Sequence, residues 1–337
     1  MRVIVTGAAG FIGSNLVKML SERGIDEIIA IDDLTDGDKF KNLVNLSLTD
    51  YIDVSHFIHR LGEGVFGKID AIFHQGACSD TTERNGRYML QNNFEYAKSI
   101  LDYCLKSDTR MIYASSAAIY GLSTLFAPDP ANEQPLNVYG YSKLLFDQYV
   151  RRILPTTDLQ VAGLRYFNVY GPNEQHKGRM ASVAFHHFNQ YQEFGKVKLF
   201  GSYGGYDNGG HKRDFVYVRD VAAVNCWFFE NPASRGIYNV GTGCAQPFND
   251  LAHAVINVMR ERDSLPPLSL TELVSMELIE YVDFPGDLRG KYQSFTEADI
   301  SGLRAAGYNA PFATVAEGIS DYLGQLASTD KVADVLP

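Results

Sequence analysis

The chain has 337 residues, 45% hydrophobic and 21% charged, with a formal net charge of −10. That length carries a sizeable core and room for two lobes. The acid excess, with no dense Lys/Arg run, argues against a nucleic-acid partner, and no apolar stretch is long enough to span a bilayer. The four cysteines, Cys78, Cys104, Cys226 and Cys244, are far apart with no Cys-x-x-Cys, so neither a metal site nor a disulfide framework is expected. Met1 leads straight into a strand pattern rather than an apolar signal segment, which makes a reducing cytoplasm the expected compartment.

Arg2–Thr6 is a short apolar run that predicts a buried strand. Gly7-Ala-Ala-Gly10-Phe-Ile-Gly13 follows, and Ser14 to Arg23 predicts an amphipathic helix with Leu16, Val17, Met19 and Leu20 on its apolar side. Glu27–Ile31 predicts a second strand, ending in Asp32-Asp33. Strand, glycine turn, helix and strand, with an acid about 20 residues on, form a dinucleotide-binding unit. Gly7, Gly10 and Gly13 let backbone approach a pyrophosphate, and the helix N-terminus favours its negative charge. Asp32 or Asp33 suits the adenosine ribose hydroxyls, as in an NAD site. Lys39 stands close enough in sequence to meet a 2′-phosphate, or to be a solvated loop charge.

Ile69–His74 predicts the next buried strand, with small residues after it in Gln75-Gly-Ala-Cys-Ser79. Asn92-Asn93 falls inside a following helix, where asparagine is a poor former, so a polar contact or a structural role is open to either. Arg110–Ala114 predicts another strand, running into Ser115-Ser116. Ser116 sits at the strand end where parallel sheets bind ligands, and can also simply cap a loop. Tyr139 and Lys143 are four residues apart, hence on one helix face. A nearby ammonium favours a phenolate and lowers its pKa from the usual ~10, so the pair suits proton transfer. The same spacing arises on many solvated helix faces.

Beyond Pro172 the pattern changes. Met180 to Phe194 predicts a helix containing His186 and His187, which lack partners of metal-ligand spacing. Lys196–Phe200 predicts a strand before the glycine-rich Tyr203–Gly210, by default a mobile surface loop. Arg213 suits bidentate binding of a phosphate, or an ion pair with Asp214 or Asp220. A helix starts at about Asp220, Gly236–Gly243 forms a strand and turn, and Val315–Leu326 predicts a late helix followed by a polar tail. The fold class expected is α/β: a Rossmann-type doubly wound parallel sheet over residues 1–170, with a returning segment at about 213–242. A smaller α/β substrate-binding domain takes 171–212 and 243–330.

The glycine triplet, Ser116, Tyr139 and Lys143 resemble the extended short-chain dehydrogenase/reductases that act on nucleotide sugars, and Arg165-Tyr-Phe-Asn168-Val-Tyr-Gly-Pro172 resembles that family's segment beside the substrate. Five stretches are similar to its ADP-L-glycero-D-manno-heptose 6-epimerase branch: Phe73–Ser79, Leu136–Lys143, His176–Val183, Lys212–Tyr217 and Arg289-Gly-Lys-Tyr292-Gln293. The His-Lys-Gly of the third discriminates most. The resemblance implies inversion at C6 of the heptose in ADP-glycero-manno-heptose, a precursor of the lipopolysaccharide inner core. It also implies NADP as the tightly held cofactor, with NAD open, and a homo-oligomer, specifically a homopentamer, with no membrane partner.

It implies acid/base roles for Tyr139 and Lys177, a contact of Ser116 with the reacting hydroxyl, and Lys143 holding the nicotinamide ribose while depressing the Tyr139 pKa. Implied cofactor contacts are Phe11, Ile12, Asp32, Asp33, Lys39, Gln75, Gly76, Ala77, Cys78, Ser79, Asn92, Lys143, Val169 and Lys177. Implied substrate contacts are Asn168, Arg179, His186, Phe200, Gly201, Ser202, Tyr203, Arg213 and Tyr292. Val54 stands where the family tends to carry a cofactor-contacting lysine, Gln75 replaces an acid, Arg179 replaces a common serine, and Tyr203–Gly210 is an insertion. A UDP-hexose 4-epimerase gives no reason for Lys177, and a 4,6-dehydratase needs an Asp-Glu pair where this chain has Ala117-Ala118. A non-catalytic dinucleotide sensor remains the reading from another class.

Overall fold

The computed structural model describes residues 1–290 and 292–333. Lys291, within the fifth family-like stretch, and residues 334–337 lie outside the described residues. The chain divides into two compact units. The first holds Met1–Phe167, Arg219–Val240 and Asp299–Asn309; the second holds Asn168–Val218, Gly241–Ala298 and the chain from Ala310 onward. The short segment Asp299–Asn309 thus belongs to the first unit, and residues 213–218 to the second.

In the first unit, β1 (Arg2–Thr6), β2 (Glu27–Asp32), β3 (Asp50–Asp53), β4 (Ala71–His74), β5 (Arg110–Ser116), β6 (Val161–Tyr166) and the strand Gly236–Val240 form one parallel sheet. The order is Gly236–Val240, β6, β5, β4, β1, β2, β3. This is the Rossmann-type doubly wound α/β fold, with its switch point between β1 and β4. The central strands are apolar runs because both faces are covered. Val3, Ile4, Val5, Ile72 and Phe73 are wholly buried. One gap in the sequence pattern is β3, whose Asp50-Tyr-Ile-Asp53 buries only Ile52. Helices α1 (Phe11–Glu22), α2 (Val54–Gly62), α3 (Gly86–Leu90), α4 (Tyr96–Ser107) and α5 (Val138–Ile153) connect the strands. Phe57 and Leu61 of α2, Ile100 and Leu101 of α4, and Phe146 and Val150 of α5 belong to one apolar core with Ile4, Ile31 and Ile72 of the sheet.

The second unit is built from short strand pairs and helices. Asn168–Tyr170 pairs in parallel with Phe215–Tyr217, and Val197–Phe200 with Ile279–Val282. Helices α6 (Val183–Phe194), α7 (Phe248–Arg262) and α8 (Leu270–Ser275) lie in this unit, as does the terminal helix Val315–Ala333. Its small core gathers Val197, Leu199, Ala252, Ile256, Leu273 and Ile279. The terminal helix runs past the expected end at Leu326. The glycine-rich Tyr203–Gly210 is folded rather than loose. Tyr203 and Tyr206 exchange backbone hydrogen bonds, Gly209 N–H reaches the Phe200 carbonyl at 2.8 Å, and Tyr203 stacks on Phe284 at 4.0 Å.

Candidate active site

The glycine turn is a backbone crossing that admits no side chains. A Cβ on Gly7, at φ +69°, would meet Gly76 at 2.7 Å, and one on Gly13 would meet the Gly7 carbonyl oxygen at 1.9 Å. Helix α1 opens at Gly10 with no side-chain cap and no acid in its first turn. That leaves its positive end suited to a phosphate, so Gly7, Gly10, Phe11, Ile12 and Gly13 fit a dinucleotide.

The two acids after β2 divide their duties. Asp32 is buried and accepts from the Ala9 N–H at 2.7 Å, tying the turn to β2. It also ion-pairs with Lys39, which reaches the Asp33 carbonyl at 2.6 Å. Lys39 is therefore not a solvated loop charge: its ammonium offsets Asp32 locally. Asp33 is exposed, and hydrogen bonds from Thr35 hold its carboxyl below the usual range.

The loop after β4 is set by neighbours remote in sequence. Gly76 N–H donates to Thr6 Oγ1 at 3.1 Å. The Gln75 side chain sits in a polar triad: its Oε1 accepts from the Tyr166 hydroxyl at 2.9 Å and its Nε2 donates to Asn225 Oδ1 at 3.1 Å. Ala77 and Ser79 are exposed and Cys78 half-buried. Asn93, rather than Asn92, grips this loop. It accepts from the Cys78 N–H at 2.8 Å and donates to the Cys78 carbonyl at 2.9 Å and to Ser142 Oγ at 3.0 Å. Asn92 instead bonds the Tyr88 carbonyl one turn back. Gln91–Glu95 is a π-helical turn, and such a turn shifts which asparagine faces inward. The side-by-side asparagines were the only signal of this in the sequence.

Asn137 starts α5 by accepting from the Gly140 N–H at 2.8 Å. Gly140 lets the helix come close, since a Cβ there would meet the Ala118 carbonyl oxygen at 2.7 Å. This brings Tyr139 within a hydrogen bond of Ser116, whose Oγ also accepts from the Ala118 N–H at 3.1 Å. Burial pushes the Tyr139 phenol above its ordinary pKa, and the Ser116 bond only partly offsets it. The expected depression by Lys143 is therefore not seen. Lys143 Nζ donates to the Ala114 carbonyl at 2.8 Å, and burial lowers its own pKa to about 8 despite opposing pulls from Asp147 and Cys78.

One turn beyond Lys143, Asp147 is fully buried and accepts from Tyr113, Ser115 and Arg165, each at 2.9 Å. Arg165 is also fully buried and pairs with Glu133, which Arg151 holds at 2.8 Å. This network fastens α5 to β5 and β6. Its Arg165 is thus a structural cation at the head of the segment expected beside a substrate.

In the second unit, Lys177 lies half-buried in the 3₁₀ turn Gln175–Met180, and burial lowers its pKa against an opposing pull from Glu174. Arg179 is exposed, and His186 Nε2 lies 3.4 Å from the Arg179 carbonyl oxygen. Asn168 is exposed, with its N–H donating to the Asp214 carbonyl at 3.0 Å, and Val169 is half-buried beside it. Phe200, Gly201 and Tyr203 are half-buried and Ser202 exposed. Phe200 meets Tyr292 edge-on at 6.2 Å. Arg213 is buried against the rings of Tyr292, at 4.9 Å, and Phe248, at 5.7 Å. Among the described residues no carboxylate pairs with it; Asp214 is taken by Thr242, Gly243 and Ala298. A buried guanidinium without a carboxylate suits an anionic ligand. No group of His, Cys, Asp and Glu suited to a metal ion occurs among the described residues, and no described helix is long and apolar enough to cross a membrane.

These features define a Rossmann-type α/β protein with a Ser-Tyr-Lys set at the carboxyl edge of its parallel sheet. Residues 3–241 match the NAD-dependent epimerase/dehydratase family, and the chain belongs to it. Similar solved structures include the Helicobacter pylori ADP-L-glycero-D-manno-heptose-6-epimerase, at 29% identity over 97% of this chain and 96% of that one, with a TM-score of 0.79. The Thermotoga maritima UDP-glucose 4-epimerase, with UDP-glucose, is 26% identical over 98% and 99%, with a TM-score of 0.77. The Thermus thermophilus UDP-glucose 4-epimerase, in complex with NAD, is 25% identical over 97% and 99%, with a TM-score of 0.75.

Proposed function

We propose that this protein is a nucleotide-sugar epimerase that inverts C6 of the heptose in ADP-D-glycero-β-D-manno-heptose, giving the L-glycero epimer for lipopolysaccharide inner-core synthesis with bound NADP. The observation that carries the reading is Lys177: a half-buried lysine with a lowered pKa, in a His-Lys-Gly turn that a 4-epimerase does not require. The similarity to the H. pylori enzyme supports it. The bound dinucleotide supplies hydride acceptance and return at the sugar carbon.

The chain's own residues handle the protons. Gly7, Gly10 and Gly13 admit the pyrophosphate, Asp33 takes ribose hydroxyls, and Lys39 meets a 2′-phosphate. Arg213 holds the substrate diphosphate, with Phe200, Tyr203 and Tyr292 as aromatic neighbours. Inverting a carbon through a transient ketone requires proton transfer to oxygen in two orientations. Tyr139, bonded to Ser116, serves one and Lys177 the other. Burial raises the Tyr139 phenol from 10.0 and lowers the Lys177 ammonium from 10.5, so the two part in proton affinity: the phenol is held as the protonated member and the amine is the readier base. The protein acts as a cytoplasmic homo-oligomer, a pentamer in the branch it resembles.

The test is incubation with ADP-D-glycero-β-D-manno-heptose, following the C6 epimers by NMR. The wild type interconverts them. Tyr139→Phe and Lys177→Met each cut turnover by about 10²–10⁴-fold, the usual worth of a general acid or base. Turnover of UDP-glucose with none of the heptose substrate overturns the proposal in favour of a 4-epimerase, which the T. maritima and T. thermophilus similarities support as a second reading. Wild-type rates in Lys177→Met refute the two-group scheme.

A further inference from the structure

Glu174 is a wholly buried carboxylate in the second unit that the proposed chemistry does not use. It lies three residues before Lys177 and spans the segment carrying it. On one side its Oε1 accepts from the Gly171 N–H at 3.3 Å. On the other it accepts from Ser182 twice, from the backbone N–H and from Oγ at 2.7 Å. Both ends of residues 171–182 are thereby pinned to one side chain. The same residue's carbonyl oxygen accepts from the Lys177 N–H at 2.9 Å, which closes the turn that presents the lysine.

Within the segment the Ala181 N–H also donates to the Gly178 carbonyl at 3.0 Å. Gly178, just after Lys177, has φ +51° and breaks the 3₁₀ turn, and a Cβ there would meet nothing within 4 Å. At the other end of the segment a Cβ on Gly171 would meet Val218 Cγ1 at 2.5 Å. Ser182 uses its hydroxyl also to accept from the Phe185 N–H at 3.2 Å, capping α6. The pin therefore joins the capped start of α6 to the close-packed turn at Gly171, with a glycine break between them.

We infer that Glu174 is the positioning residue for Lys177: it fixes where the ammonium stands and so sets one of the two proton transfers, while the Tyr139 transfer proceeds without it. This rests on the acid/base reading of Lys177 given above. A general structural role predicts a different pattern. Loosening the fold slows reaction from both epimers, whereas displacing Lys177 alone slows the direction Lys177 serves.

The test uses the full-length protein with its bound cofactor. Single-turnover reduction of the nicotinamide is followed by absorbance, starting from each C6 epimer separately, in Lys177→Met, Glu174→Gln and Ser182→Ala. Lys177→Met should slow one epimer and spare the other. Glu174→Gln should slow the same epimer by about 100-fold, the cost of a displacement near 1 Å, with KM unchanged. Ser182→Ala removes one of the three donors, should fold in any case, and should slow that epimer by a smaller factor. Equal loss from both epimers in Glu174→Gln and Ser182→Ala, or loss from neither, overturns the inference while a one-sided Lys177→Met preserves the acid/base reading. A symmetric or silent Lys177→Met overturns both.

Discussion

Removing the Asp147 carboxylate should unfasten the helix that carries Tyr139 and Lys143. Asp147→Ala deletes acceptors for Tyr113, Ser115 and Arg165 at once, all from a site with no solvent exposure. Arg165 is equally sealed, and burial by itself would lower its pKa, yet Tyr120 and Glu133 still raise it once Asp147 is gone, and an arginine guanidinium stays charged in the variant. Breaking a buried pair from one side costs about 3–5 kcal/mol. Glu133 remains bonded to Arg165, which places the loss at the lower end, about 3 kcal/mol. Urea unfolding monitored by circular dichroism measures it, beside Arg165→Met and the double variant. Arg165→Met leaves Asp147 with its two hydroxyl donors and should cost less. The double variant should recover stability relative to Asp147→Ala, because no uncompensated guanidinium is then buried. Turnover should fall further than stability in Asp147→Ala, since Lys143 lies one turn away on the released face. A loss below 1 kcal/mol, or strictly additive single effects, would refute the claim that this ion cluster braces the helix.

Two more predictions follow from charges near the nucleotide. Lys143 stands at about 8 because burial lowers it, so its ammonium is held below that pH and lost above it. The pH profile of kcat/KM should fall as pH rises through about 8, and Lys143→Arg should remove that limb. The linkage has the opposite sense for stability: the folded pKa lies below the unfolded value of 10.5, so stability is lost as pH falls from 10.5 to about 8 and is constant below. Lys39→Ala leaves Asp32 unpaired beside the ribose end, so the nucleotide released on denaturation should shift from NADP towards NAD; an unchanged ratio would exclude Lys39 from that choice.

What was legible in the sequence was local in range. The β1–α1–β2 unit could be read because its glycines, apolar runs and acid lie within one short stretch and obey fixed periods. Tyr139 and Lys143 could be placed on one helix face because four residues make about one turn. Periodicity says which face a side chain takes, but not what that face meets.

Those meetings belong to the tertiary structure. Lys143 finds the Ala114 carbonyl 29 positions away, so it is not the charge that sets the Tyr139 pKa. Asn93 rather than Asn92 holds the Cys78 loop, because a π turn moves the inward register. Arg165, read as part of a substrate-side segment, becomes a sealed cation through Glu133, 32 positions away. Tyr203–Gly210, rich in glycine, folds because Phe284 stacks on Tyr203. Helical and strand periods are set by the backbone within a few residues, whereas pKa values and ion pairs depend on which distant groups share a dry space. The sequence alone determined the β1–α1–β2 unit, its glycine turn and the Tyr139–Lys143 pair. Only the folded chain decided which charges are spent in holding that pair in place.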